Sequence, residues 1–211
     1  MSAWNHYFLA HSIEDAFGAL CSDPGPNHLV AGGTDYLLEL QQGNHPPVNN
    51  LVDITGIPEL TVLEVRGDRL FVGAAVPVSQ VADSHLAREH AQAVAEACWL
   101  IGGPQVRNTA TLGGNVAHAL PAADGMIALT ALDTRVEIAR FDPPAITFRR
   151  EPILSLFAGP GKSTLLPDRE ILTGFYLPLW IEGSASAFSR VMRPQGVALP
   201  ILNLAIWLLR E

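Results

Sequence analysis

Two short glycine loops constrain this chain more than anything else in it: Ala31-Gly32-Gly33-Thr34-Asp35 and Thr111-Leu112-Gly113-Gly114-Asn115. Each sets a glycine pair beside a hydroxyl and a carboxylate or amide. Glycine lets the backbone turn through positive φ and lets a ligand approach the main chain with no Cβ in the way. Successive N–H groups in such a turn form a concavity suited to phosphate. Two of them imply one ligand with a diphosphate, gripped from two sides, and hence a dinucleotide.

The flanking segments give each loop a setting. His28 to Ala31 reads as a short strand entering the first loop, and Tyr36 to Leu40 as a helix leaving it. Strand, glycine turn and helix N-terminus is an arrangement that favours a phosphate. Leu51 to Ile54 reads as a second strand and completes a small βαβ unit. Ser12 to Cys21 has a serine N-cap and an acidic first turn, and predicts a helix. Beyond the first lobe, Leu60 to Val65 and Leu70 to Ala74 form a hairpin through Arg66-Gly67-Asp68-Arg69. Ser84 to Ile101 predicts one long helix stopped by Gly102-Gly103-Pro104. A helix over Ala123 to Leu132 follows the second loop. Strands are expected at Arg135 to Ala139, Ile171 to Leu177, Ala185 to Met192 and Ile201 to Leu209.

Composition narrows the class. With 211 residues, 48% hydrophobic and only 16% charged, the chain can bury a core of one substantial domain or two small ones. A net charge of −8 and a single lysine, Lys162, argue against nucleic acid or an anionic membrane as partner. Cys21 and Cys98 are too few for an iron–sulfur cluster, which takes about four thiolates; both read as small buried apolar residues. The N-terminus shows no secretory pattern. The run from Val197 to Leu209 is interrupted by Pro200 and Asn203 and is too short to span a bilayer. A cytoplasmic location is expected.

Several chemistries find no support. No Gly-x-Gly-x-x-Gly occurs, so a Rossmann dinucleotide site is not indicated. Gly159-Pro160-Gly161-Lys162-Ser163-Thr164 imitates the end of a P-loop, but Leu156 stands where that motif needs a glycine and Pro160 removes an amide; the segment reads as a turn. The seven histidines form no metal-binding spacing, Cys98 sits in an apolar helix as an inert thiol, and Glu14 and Asp15 read as helix-start charges. No catalytic residue and no metal site is assigned. A reaction here needs a cofactor to carry it.

Ala110-Thr111-Leu112-Gly113-Gly114-Asn115, followed by Pro121-Ala122-Ala123-Asp124, resembles the second flavin-binding motif of the FAD subunits of molybdenum hydroxylases, the xanthine dehydrogenase and carbon monoxide dehydrogenase families. Leu29-Val30-Ala31-Gly32-Gly33-Thr34-Asp35 resembles the first. Leu51 to Ile57, Leu70 to Ala74, Gln105 to Asn108 and Arg169 to Leu172 resemble further family segments, so the likeness spans nearly the whole chain.

The resemblance implies an α+β fold of the vanillyl-alcohol-oxidase/molybdopterin-dehydrogenase type: a two-lobed FAD-binding domain over about 1–180, with subdomains of about 1–56 and 57–180, and the start of a C-terminal α/β domain at 181–211. It implies that Leu29, Val30, Ala31, Gly32, Gly33, Thr34, Asp35 and Tyr36, with Ala110, Thr111, Gly113, Gly114 and Asn115, hold FAD, and that Asp124 and Leu172 lie near the flavin. It implies partners too: an iron–sulfur small subunit carrying 2Fe–2S clusters and a large subunit carrying molybdopterin, assembled as a dimer of heterotrimers. Electrons would then pass from the clusters through FAD to NAD⁺, a quinone or oxygen. The alternative is a flavin-free scaffold in such a complex; a vanillyl-alcohol-type flavin oxidase is disfavoured. Some relatives carry a lysine near the flavin in the segment matching Ala187 to Val191, where this chain has Ser189 and Arg190. Only the opening of the C-terminal domain is recognisable, so the last apolar strand is expected to present an unpaired edge.

Overall fold

The computed structural model describes residues 3–22, 24–192 and 199–210. The first lobe is a parallel sheet in the order β1-β3-β2, built from β1 (Trp4–Leu9), β2 (His28–Val30) and β3 (Val48–Asp53). Helix α1 (Ile13–Cys21) links β1 to β2, and α2 (Tyr36–Gln41) links β2 to β3. The Ser12 hydroxyl accepts from the Asp15 N–H at 3.0 Å and so caps α1, the role its side chain suggests. The βαβ unit is present, with His28 opposite Leu51 and Val30 opposite Asp53. Strand β1 is an addition to the sequence reading.

The second lobe is an antiparallel sheet in the order β4-β5-β10-β6-β7. Its strands are β4 (Leu63–Arg66), β5 (Arg69–Gly73), β6 (Arg135–Asp142), β7 (Ala145–Pro152) and, at the centre, β10 (Glu170–Pro178). Between β7 and β10 lies a small hairpin of β8 (Phe157–Gly159) and β9 (Lys162–Ser163); the P-loop imitation is its turn. Strand β10 is buried at nearly every position, as befits a central strand covered on both sides.

Six helices follow β5: α3 (Val78–Asp83), α4 (His85–His90), α5 (Gln92–Leu100), α6 (Pro104–Arg107), α7 (Leu112–Ala117) and α8 (Asp124–Ala131). The apolar sides of all but the short α6 share one core with Val72, Val136, Ile138 and Phe175 of the sheet. The single helix expected over Ser84 to Ile101 is two. Ala91, at φ −142° and ψ 52°, leaves the helical region between α4 and α5. It is buried, and packing sets its backbone against its propensity.

The lobes share a core. Phe17 of α1 stacks on Phe141 of β6, ring centroids 5.4 Å apart, and Val52 and Ile171 join the same cluster. A last hairpin, β11 (Ser184–Val191) and β12 (Leu202–Leu209), lies against α5 and α8. Among the described residues β12 is paired only with β11, and Leu202, Leu204 and Leu208 are each more than half exposed. Residues 193–198, part of the linking segment, lie outside the described residues. Cys98 is buried, but Cys21 is exposed, contrary to expectation: it is the final residue of α1, beyond the buried pair Phe17 and Leu20. No helix among the described residues is long and apolar enough to cross a membrane.

Candidate functional site

The first glycine loop leaves β2 at Val30 and turns at Gly33, whose φ of +66° lies in the region glycine enters freely. The Leu37 N–H closes the turn onto the Gly33 carbonyl at 3.0 Å. Helix α2 is only six residues long, so the loop's backbone amides, more than a helix dipole, are its anion-attracting groups. Asp35 precedes α2 yet makes no side-chain cap; its carboxylate turns to His118 instead, 3.6 Å away.

The second loop begins at Thr111, whose backbone bridges to Pro77 and whose hydroxyl accepts from the Gly114 N–H at 3.0 Å, capping α7. The loops converge. A Cβ on Gly32 would overlap the Thr109 carbonyl oxygen and sit 2.8 Å from the Ala110 Cα. Gly32 is therefore required because one loop's backbone lies directly on the approach to the other.

Beside this junction a cavity of about 680 Å³ opens between the lobes, within the range of cofactor pockets, roughly 300–1,000 Å³. Val30, Ala31, Gly32, Thr109 and Thr111 line it, with Tyr7 and Asp53 from the first sheet. Among the described residues that line it there is no lysine or arginine. The Tyr7 hydroxyl donates to Asp53 at 2.7 Å; this bond pushes the phenol pKa up to about 12. Thr55 donates its N–H and hydroxyl to the other Asp53 oxygen. The acid is thus committed to its neighbours.

The remaining expected site residues fall in four places. Leu29 lies in β2, and Gly33, Thr34, Asp35 and Tyr36 carry the first loop into α2. Ala110 precedes the cap of α7, whereas Gly113, Gly114 and Asn115, expected in a loop, lie within α7, because the Thr111 cap starts a helix there. The Asn115 side-chain oxygen is buried and unpartnered, and a Cβ on Gly125 would approach it to 2.7 Å. Leu172 is buried in the main core. Asp124 does not line the cavity: Arg190 Nη1 donates to it at 2.6 Å and Asn203 Nδ2 at 3.2 Å. Carboxylate and guanidinium side chains are 4% and 8% exposed.

Asn203 and His118 were not singled out from the sequence, and Arg190 only as standing in the segment where some relatives carry a lysine near the flavin; its pairing with Asp124 was not foreseen. Arg190 and Asn203 lie 66 and 79 positions from Asp124, so no spacing signals them. His118 stands four residues after Gly114, but a lone histidine carries no motif. Among the described residues no cluster of His, Cys, Asp or Glu could hold a metal ion.

The cradle fits a dinucleotide. Two glycine loops meet at one cavity, the closest approach tolerates no Cβ, and a buried amide oxygen lacks a partner. The comparisons agree. The model of the FAD-binding domain in molybdopterin dehydrogenase matches residues 2–180, and the chain belongs to that family. It is 34% identical over 173 residues to the xanthine dehydrogenase FAD-binding subunit of Escherichia coli O157:H7, covering 82% of this chain and 57% of the relative. The structure of a carbon monoxide dehydrogenase from Hydrogenophaga pseudoflava matches with a TM-score of 0.82 at 27% identity, over 90% of this chain and 64% of that one. For a reconstituted CO dehydrogenase from Oligotropha carboxidovorans the TM-score is 0.86 at 23% identity, over 98% and 70% of the two chains. The chain thus spans somewhat over half the length of the curated relative.

Proposed function

We propose that the chain holds FAD between its two glycine loops and serves as the electron-transferring flavin subunit of a molybdenum hydroxylase complex. The convergence of Gly32 with Thr109 and Ala110 carries this reading, because it joins two distant phosphate-type loops into one site. When bound, FAD supplies the electron-transfer chemistry that the side chains lack. The chain's own part is to position it. The loop around Gly33 offers backbone donors to the diphosphate, and Gly114 leaves room beside the Thr111 hydroxyl. Asn115, next to Gly114 in the chain, keeps a buried, unpaired amide oxygen, and Tyr7, Asp53 and Thr55 form a fixed hydrogen-bonded wall.

Partners carrying 2Fe–2S clusters and molybdopterin, in a dimer of heterotrimers, supply the electrons in this reading, and NAD⁺, a quinone or oxygen receives them. The likeness to xanthine and carbon monoxide dehydrogenase components supports it. Titrating the purified chain with FAD and following flavin fluorescence and absorbance tests the assignment. Saturable quenching at one equivalent is expected. A folded chain that leaves FAD fluorescence unchanged, yet copurifies with iron–sulfur and molybdenum subunits, would establish the flavin-free scaffold instead.

A further inference from the structure

The seam between the two loops holds an ionic cluster that the glycine cradle does not explain. His118 is the C-cap of α7. Its Nδ1 lies 3.6 Å from Asp35 and its Nε2 3.6 Å from Glu39 of α2. One imidazole thus ties the end of α7, the helix that carries Gly113 and Gly114, to Asp35 and Glu39 at and in α2. From Leu29 to Gln41 and from Ala110 to His118, His118 is the only side chain that can carry positive charge. A diphosphate would bring two more negative charges to a seam that already contains two carboxylates.

We propose that His118, as the imidazolium, is a positioning residue for the flavin diphosphate: it neutralises Asp35 and Glu39 and clasps the first loop to the second, so FAD is retained more tightly below neutral pH than above it. The inference rests on the reading of these loops as the FAD site. Contact with Asp35 raises the pKa of His118, and partial burial opposes the rise. His45, beyond α2, shares Glu39 through a 2.9 Å contact. His28 stacks on Tyr36 with centroids 3.5 Å apart; burial lowers its pKa to about 4, so it adds no charge near neutrality. On the other side, the Gly161 N–H donates to the Ala119 carbonyl at 2.9 Å, which anchors the turn carrying Lys162 beside the clasp.

Linkage gives the direction. If bound FAD raises the affinity of His118 for its proton tenfold, FAD affinity falls by up to about tenfold as pH rises past the imidazole's titration. The test is FAD titration by fluorescence quenching from pH 6 to pH 9 on the full chain, His118→Gln and His118→Arg. The native Kd should rise about tenfold across the range. His118→Gln should bind weakly with a flat profile, and His118→Arg, with a permanent charge, should bind tightly at pH 9. A Gln variant with the native profile overturns the clasp. Proton uptake by the native chain, measured by binding calorimetry at pH 7.5 in two buffers of different ionisation enthalpy, provides a readout independent of the variants; zero uptake also overturns it. Absence of native FAD binding at every pH would instead remove the FAD-site reading beneath it.

Discussion

Gly32 and Thr109 meet backbone to backbone, with no room for a single carbon atom between them. Gly114 differs: a Cβ there would meet only the Thr111 hydroxyl oxygen, at 3.2 Å. The two positions should therefore fail in different ways. Gly32→Ala should destabilise the fold by about 1–3 kcal/mol, the usual cost of overpacking, and also lose FAD. Gly114→Ala should keep its stability to within about 1 kcal/mol, whereas Gly114→Leu should fold and lose flavin absorbance. Thermal denaturation and flavin absorbance on the same samples separate these outcomes.

The Asp124–Arg190 pair should behave as a buried charge pair. Arg190→Met strands the carboxylate and should cost about 3–5 kcal/mol. Asp124→Leu combined with Arg190→Met removes both charges and should recover much of that loss. Urea denaturation of the single and double variants closes the cycle.

His28 sets an acid limit. Its folded pKa of about 4 lies below the ordinary value of 6.5, so between those values the unfolded chain binds more protons. The contribution of His28 is present above pH 6.5 and is lost as pH falls towards 4, a loss on the order of 2–3 kcal/mol. His118 runs the other way: its pKa is raised, so its contribution is present below its unfolded pKa and is lost as pH rises through the folded one. His28→Phe, which keeps a ring against Tyr36, should flatten the acid side of a plot of urea midpoint against pH.

The cysteines should react unequally. Burial pushes the pKa of the Cys98 thiol strongly upward, while Cys21 is exposed, and only thiolates attack. A disulfide reagent at pH 8 should titrate one thiol in the native protein and two in urea. Cys21→Ser should remove the native reaction. Two thiols reacting promptly without denaturant would contradict the packing around Cys98.

Much of this architecture was legible because local chemistry and tertiary structure agree. Ser12 caps α1, Gly33 turns the first loop, and the hairpin around Gly67 forms where Arg66-Gly67-Asp68-Arg69 reads as a turn. Strand β1 escaped because it is the outer strand of its sheet and largely exposed; its pairing partner, Val48 to Asp53, lies far along the chain. The break at Ala91 escaped because an alanine-rich pattern looks helical throughout. Within the site, both loops were visible as motifs, but their contact was not. Nor were the partners of Asp124 or the bridge from His118 to Asp35, since long-range pairs leave no period in a sequence.

The outward side of β12 has a consequence for the molecule at high concentration. Among the described residues its apolar side chains stand beside main-chain groups that β11 does not engage, an arrangement that recruits further strands. Colloidal behaviour should therefore depend on this strand and be indifferent to flavin loading. A lysine at Leu204 is the smallest change expected to keep the chain dispersed.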